Sequence, residues 1–287
     1  MKRITKILEL ADNYDVFLFD IWGVIVADDQ NFYPGVIEAI NELSKIKPVY
    51  LLSNSPRPRL VSATRLQALG LSIEEERIFT SGDLTRELLL EPKNAFDFDF
   101  DQLKLYHMEA GRNKDILHNL DIDIVSRPSD ANAMLLTLFT DVHEEVNPFY
   151  HQLDEALKYN LPIICPNPDL KLSDFRYCAG YFAEYYKSKG GIVHYIGKPY
   201  KNIFDYMYKN IQEKVDLSKI ILIGDTFYTD ILGANNYGIK SGLVLTGNSK
   251  VLTDAAFANS DEEKIKALMA KVNHYKATPD YYIHLGL

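Results

Sequence analysis

Short apolar runs alternate with amphipathic stretches along almost the whole chain. VFLFD (16–20), PVYLLSNS (48–55), KIILIGD (219–225) and GLVLTG (242–247) read as strands, with RIFTSG (77–82) a shorter one. Between them the apolar positions take a helical spacing. PGVIEAINELSKI (34–46) is predicted as a helix with Pro34 at its start, where a missing N–H is harmless. RPRLVSATRLQALG (57–70) is a second helix, closed by Gly70; a third runs from Asp83 to about Leu90, and a charged one lies near 261–275. The opening MKRITKILELADNYD is predicted as a short amphipathic helix. Strands and helices in strict alternation argue for an α/β protein with a mainly parallel sheet.

The pattern changes at EPKNAFDFDFDQ (91–102), which has no helical period and reads as a connector. A second α/β series follows: LKLYHME, a helix around KDILHNL, the strand AMLLTLF (133–139), a helix through NPFYHQLDEALKYN, the strand LPIICPN and a helix from about Asp174 to Lys187. Gly190 and Gly191 mark a hinge, after which IVHYIGKP is expected to resume the first series. The expected layout is one core, residues 1–100 and 191–287, interrupted by an inserted domain, residues 101–190.

The 287 residues, 47% of them hydrophobic and 25% charged, suit a globular protein with a sizeable core. A net charge of −9 disfavours non-specific nucleic-acid binding, which needs a basic stripe. It leaves anionic substrates open, because the field in a cleft can oppose the global charge. Cys165 and Cys178 form no metal-type pair and read as buried thiols in a reducing compartment. Glu9 and Asp12 interrupt any signal-peptide core, and no apolar run approaches a membrane span. The expectation is a cytoplasmic protein that binds neither nucleic acid nor membrane.

Four predicted core strands end in reactive residues: Asp20, Ser53-Asn54, Gly197-Lys198-Pro199 and Gly224-Asp225. In an open parallel sheet, ligands bind beyond the carboxyl ends of the strands, so all four are expected on one rim. Each has a plainer reading. Any strand can end on Asp, Ser-Asn is ordinary turn chemistry, GKP is a short match, and GD before a helix can be simple capping. Together, in this order, they point to phosphoryl transfer. A carboxylate nucleophile can carry a phosphoryl group, and the rest of the chemistry is positioning and charge neutralisation. Asp20 and Asp225 offer hard oxygen ligands for Mg²⁺, with Asp230 one turn on to orient them. The Ser53 hydroxyl and the Lys198 ammonium suit phosphate oxygens. Other motifs fail: there is no G-x-G-x-x-G, no P-loop and no zinc spacing among the seven histidines.

DIWGV, LLSNSP, IGKP and GDTFYTDI, in that order, resemble motifs I to IV of the haloacid dehalogenase superfamily. The insertion between motifs II and III resembles its type II cap. YPG (33–35), IFTSG (78–82) and PNPD (166–169) are similar to the NagD-like, 4-nitrophenylphosphatase-like branch, subclass IIA. The resemblance covers residues 15 to about 247. It implies a Rossmann-like parallel-sheet core with an inserted α/β cap. It implies Asp20 as nucleophile, Gly23, Ser53, Asn54 and Lys198 around the phosphate, and Mg²⁺ held by Asp20, Asp225 and the backbone carbonyl of Trp22, with Asp230 in support.

One position departs from the pattern. Family phosphatases usually carry Asp where this chain has Trp22, and that Asp is the general acid and base. An indole has no proton to exchange at neutral pH, and positioned acid–base catalysis is worth about 10²–10⁴-fold. Three readings follow. The substrates have leaving groups that need no protonation, such as aryl or acyl phosphates. Or another acid stands in, from Asp28 and Asp29 or from Asp141, His143 and Glu144 in the inserted domain. Or the protein binds a phosphorylated ligand as a regulatory module without turning it over. Retention of all three acids, which repel one another without a cation, favours an enzyme, and argues equally against metal-free dehalogenation. Arg57, Arg59, Asn167 and Asp169 are candidate substrate contacts, though charges at a helix start are often simply solvated. The expected partner is a small phosphorylated metabolite (a sugar phosphate, nucleotide or aryl phosphate), and the cap is where copies of the chain could associate.

Overall fold

The computed structural model describes residues 2–28, 31–109, 111, 113–172, 176–252 and 261–283. Two parallel sheets organise them. The first has seven strands: β1 (Lys2–Ile4), β2 (Val16–Phe19), β3 (Val49–Ser53), β4 (Ile78–Thr80), β10 (Ile220–Gly224), β11 (Lys240–Val244) and β12 (Tyr281–Ile283). The second has five: β5 (Lys104–Met108), β6 (Asp123–Val125), β7 (Ala133–Leu136), β8 (Ile163–Cys165) and β9 (Val193–Tyr195). Between strands run α1 (Val36–Ser44), α2 (Arg59–Ala68), α3 (Ser81–Leu88), α4 (Pro92–Phe96), α5 (Asn147–Lys158), α6 (Ala179–Ser188), α7 (Lys201–Asn210), α8 (Leu232–Tyr237) and α9 (Asp261–Tyr275). The chain divides into two compact units, one of residues 1–53, 60–79 and 204–287, the other of 54–59 and 80–203. None of the described helices is long and apolar enough to cross a membrane.

In the first unit the strand order is β1-β12-β11-β10-β2-β3-β4. β2 therefore sits between β3, which follows it in sequence, and β10, which returns from about 200 residues later; this is a topological switch point, where open α/β sheets bind ligands. Every residue of β2, β3 and β10 is buried, as expected of central parallel strands covered on both faces. The core under β2 joins Phe17, Phe19, Ile21, Leu51, Ile221 and Ile223 to Val36, Ile40 and Leu43 of α1.

Several predicted boundaries move. The N-terminal segment is not a helix: Lys2–Ile4 pair with Tyr281–Ile283, and a single 3-10 turn spans Ile7–Leu10. Ile4, Ile7 and Leu10 are buried all the same, so the helical spacing marked the right side chains on the wrong backbone. α1 starts at Val36 rather than Pro34, because Gly35 takes φ 72°, outside the helical region. The connector contains α4, with Pro92 at its first turn. KDILHNL forms only a 3-10 turn, Lys114–Leu117.

In the second unit the order is β6-β5-β7-β8-β9. β9 pairs with β8 through Ile163↔Val193, Ile164↔His194 and Cys165↔Tyr195. IVHYIGKP thus does not resume the first sheet as expected, and Lys198 follows a strand of the second. α6 begins at Ala179, not near Asp174, because the chain before it folds back: Leu172 N donates to Arg176 O and Cys178 N to Leu170 O. Residues 173–175, Asp174 among them, lie outside the described residues. Cys165 and Cys178 are buried free thiols, and burial pushes the Cys165 thiol up to about 12, so it is inert at neutral pH.

His107, on β5, bonds the Thr137 hydroxyl through Nε2 at 2.8 Å, and burial holds its imidazole down at about 4. A histidine buried neutral must charge on acidification, and the unfolded chain takes that proton first, near 6.5. Stability present above pH 6.5 is therefore lost as pH falls towards 4, by about 3 kcal/mol in all. His107→Gln is expected to flatten this part of the acid-unfolding profile; an unchanged slope in denaturant titrations across the same range would contradict it.

Candidate functional site

Asp20, Asp225 and Asp230 meet at the carboxyl ends of β2 and β10. One carboxylate oxygen from each lies within 4.8 Å of the others, and all three side chains are buried. The register makes this so: Phe19 pairs with Ile223, and Asp20 N donates to Ile223 O at 2.9 Å, leaving the acids just past both strands on one rim. Asp230 comes from the π-helical turn Phe227–Ile231, where its Oδ2 accepts the Thr226 N–H at 3.0 Å. Such turns recur at functional sites because they re-aim one side chain. Gly224 leaves room for it, since a Cβ there would collide with the Asp230 side chain.

Burial, then Asp230, then Asp20 push the Asp225 carboxyl well above its usual range. The site concentrates negative charge in a dry place, and the groups that soften it are few. Asn248 N donates to Asp225 Oδ2 at 2.5 Å and Thr226 Oγ1 to Oδ1 at 3.0 Å. Three buried carboxylates with hard oxygen donors so close together could hold a small divalent cation of the Mg²⁺ kind. Thiolate- or imidazole-seeking metals find no donor in this cluster.

Gly23 takes φ 86°, and a Cβ on it would strike the Asp225 carboxylate. Its N–H donates to Val26 O at 2.9 Å and its carbonyl accepts from Thr246 Oγ1 at 2.6 Å, which makes the turn after β2 rigid. Ser53 ends β3, the neighbour of β2, and is 2% exposed. Trp22 is half-buried against the core of the first unit, and the guanidinium of Arg65 lies over its ring at 4.7 Å.

The second unit holds the remaining candidates. Asn54 Nδ2 donates to Lys198 O at 2.9 Å and to Asp169 Oδ1 at 3.1 Å, while Lys198 N donates to Asn54 Oδ1 at 2.7 Å. Asn167 turns the chain by accepting the Asp169 N–H at 3.1 Å. The PNPD segment is therefore tied to Asn54 and, through it, to the backbone of Lys198, whose own side chain is 1% exposed. Asn167 and Asp169, expected as substrate contacts, take part in these bonds within the second unit. Arg57, expected likewise, pairs with Asp115 at 2.8 Å, and the Arg59 N–H donates to Asp83 at 3.0 Å.

The candidate replacement acids among the described residues lie in turns. Asp28 is exposed, and its carboxylate accepts the Asn31 N–H at 2.9 Å and the Asn31 side-chain amide at 2.9 Å. Asp29 lies outside the described residues. Asp141, His143 and Glu144 form an exposed turn closed by Asp141 N donating to Glu144 Oε2 at 2.7 Å.

Sequence reasoning missed the loop after β11. Thr246, Gly247, Asn248 and Ser249 wrap Asp225: besides the bonds above, Ser249 Oγ donates to Asp225 O at 2.5 Å, and Gly247 N donates to Tyr33 Oη at 3.0 Å. The signal was there, since TGNS (246–249) is a run of small residues, three of them polar, past the carboxyl end of another core strand.

Residues 17–123 match the family described as haloacid dehalogenase-like hydrolase, and residues 195–283 that described as HAD-hydrolase-like; together they span more than half the chain. Among curated proteins, the chain is 27% identical to the chloroplastic phosphoglycolate phosphatase 1A of Arabidopsis thaliana, covering 90% of this chain and 75% of that one. It is 24% identical to the 4-nitrophenylphosphatase of Schizosaccharomyces pombe, covering 96% and 93%. Among solved structures, a haloacid dehalogenase-like hydrolase from Brucella suis superposes with a TM-score of 0.80 at 27% identity, covering 99% of this chain and 100% of that one.

Proposed function

From the premise that this chain belongs to the haloacid dehalogenase-like hydrolases, we propose that it is a Mg²⁺-dependent phosphatase acting on small phosphomonoesters with good leaving groups. The observation that carries this reading is the buried trio Asp20, Asp225 and Asp230, whose mutual repulsion a divalent cation would relieve. The phosphatase names of the relatives support it.

Asp20 is the nucleophile. Its carboxylate oxygen attacks phosphorus, the bond to the ester oxygen breaks, and the phosphoryl group passes to Asp20 as an acyl phosphate. Water then attacks that phosphorus, the bond to Asp20 breaks, and phosphate leaves with the carboxylate restored. Asp20, Asp225 and the backbone carbonyl of Trp22 would hold Mg²⁺, with Asp230 orienting Asp225. When bound, the cation neutralises charge on the phosphoryl oxygens. Ser53, Lys198, Gly23 and Asn54 are assigned to the phosphate from the motif order alone.

The departing oxygen carries away a negative charge that a general acid would neutralise. Trp22 supplies no such proton, and Asp28 is tied to Asn31. Aryl and acyl phosphates leave without help, whereas alkyl phosphates do not. The regulatory alternative is not favoured, because the relatives are named as phosphatases.

Removing divalent metal tests this directly. With excess chelator, hydrolysis of an aryl phosphate is expected to fall to background and to return with added Mg²⁺. The first metal-free samples are also expected to melt at lower temperature, by the linkage between binding and folding. Activity indifferent to chelator would contradict the reading.

A further inference from the structure

We infer that Arg65 is a positioning residue for the site, clamping Trp22 so that its backbone carbonyl stays presented as a ligand. The inference rests on the metal reading above. The peptide joining Trp22 to Gly23 is planar and its N–H and C=O point in opposite directions. Gly23 N donates to Val26 O at 2.9 Å, so the Trp22 carbonyl is aimed the other way. That aim holds only while the turn 21–26 keeps its shape, which is fixed at the Gly23 side by Val26 O and Thr246 Oγ1 and at its base by Ile25 N and Val26 N, both donating to Ile21 O at 2.9 Å; none of these bonds is made by residue 22. The indole is the other handle on residue 22, and Arg65 grips it.

The grip spans three segments. Arg65, on α2, lays its guanidinium 4.7 Å from the centroid of the Trp22 ring and donates from Nη2 to Asp28 O at 3.0 Å. Asp28 in turn accepts from the Asn31 N–H, which closes the loop following the turn. One planar cation thus joins helix, indole and loop, a task suited to Arg because its face stacks while its edge donates. Loosening it frees the indole and the loop together. A supporting group one step removed from a metal ligand commonly changes affinity about tenfold or more.

Trp22 is the sole tryptophan of the chain, so its emission reports this contact with neither metal nor substrate present. The test compares the unaltered full chain with Arg65→Met, which keeps the length and loses the charge, and Arg65→Lys, which keeps the charge and loses the planar fork. Emission is read without metal, with acrylamide quenching, and Mg²⁺ binding is read by calorimetry. Arg65→Met is expected to red-shift the emission, raise quenching and weaken Mg²⁺ binding about tenfold, with Arg65→Lys recovering part of each. Should Arg65→Met fail to fold, Arg65→Gln, a good helix former on an accessible face, is expected to show the same losses. Wild-type emission and wild-type Mg²⁺ affinity in the neutral variants would overturn the inference alone, as would shifted emission with unchanged affinity. No Mg²⁺ binding by the unaltered chain would overturn the metal reading and this inference with it.

Discussion

Asp20→Asn is expected to reduce turnover of every phosphate ester by about 10⁴-fold or more, the scale on which losing a covalent nucleophile acts. The amide is nearly the same size, so packing past β2 is retained, and the backbone bond from residue 20 to Ile223 O does not involve the side chain. What changes is charge and nucleophilicity. An amide oxygen does not attack phosphorus at a useful rate. The substitution also removes one of the two negative neighbours that push Asp225 up, so the Asp225 carboxyl is expected to fall back towards its usual range. Without metal, the folded state gains from this. A carboxylate whose folded value is raised binds its proton more tightly in the native state, so its contribution to stability declines as pH rises past the unfolded value. Burial and Asp230 remain, so relieving this share of the repulsion lessens that decline, and the metal-free Asp20→Asn chain is expected to melt higher than the unaltered one near neutral pH. An inactive variant that is also more stable separates loss of chemistry from loss of fold. Persistent activity, measured as phosphate release under single-turnover conditions, would show that the nucleophile lies elsewhere.

Trp22→Asp carries the second large effect, in the opposite direction. For alkyl phosphates, whose leaving groups need a proton, the rate is expected to rise by about 10²-fold or more, within the range of positioned acid–base catalysis. For aryl phosphates with acidic phenols the gain in kcat/KM, which reports transfer of the phosphoryl group to Asp20, is expected to be small, about threefold or less, because that proton is not needed in the transition state of this step. The contrast between substrate classes is the informative quantity, since a general loosening of the turn would change both alike. The backbone carbonyl of residue 22 survives the substitution, so the metal requirement is expected to persist. The cation–π contact with Arg65 is lost, at a cost of about 0.5–2 kcal/mol, so the comparison is made below the melting range of the variant. Equal gains for both classes would refute the assignment of the missing acid to position 22.

The heart of the site was legible because three central strands announce themselves locally. VFLFD, VYLLSN and ILIGD are apolar runs that stop at a reactive residue, and a strand buried on both faces has no other way to look. Their adjacency, with β2 between β3 and β10, turns three local patterns into one rim. What stayed hidden was pairing between distant segments. IVHYIGKP has the same apolar signature as a core strand, and nothing in it says that Val193–Tyr195 will pair with β8. Lys2–Ile4 pair with Tyr281–Ile283 at the far end of the chain, a contact with no local trace. Three of the candidate substrate contacts make bonds within the protein. Arg57, Asn167 and Asp169 are polar residues in turns, and such residues usually spend their hydrogen bonds on the protein itself. Asn248, which bonds Asp225, and Thr246, which bonds the Gly23 carbonyl, were passed over although they follow a core strand as Asp20 and Asp225 do.

The central claim is that a working phosphatase site has lost its general acid. The most direct measurement is hydrolysis by the unaltered chain, with Mg²⁺, of a series of phosphate esters whose leaving groups span phenols to simple alcohols. The expected result is a steep dependence on leaving-group pKa, with nitrophenyl and acyl phosphates cleaved and alkyl phosphates barely touched. A flat dependence with ready cleavage of alkyl esters, or silence across the whole series, would contradict it.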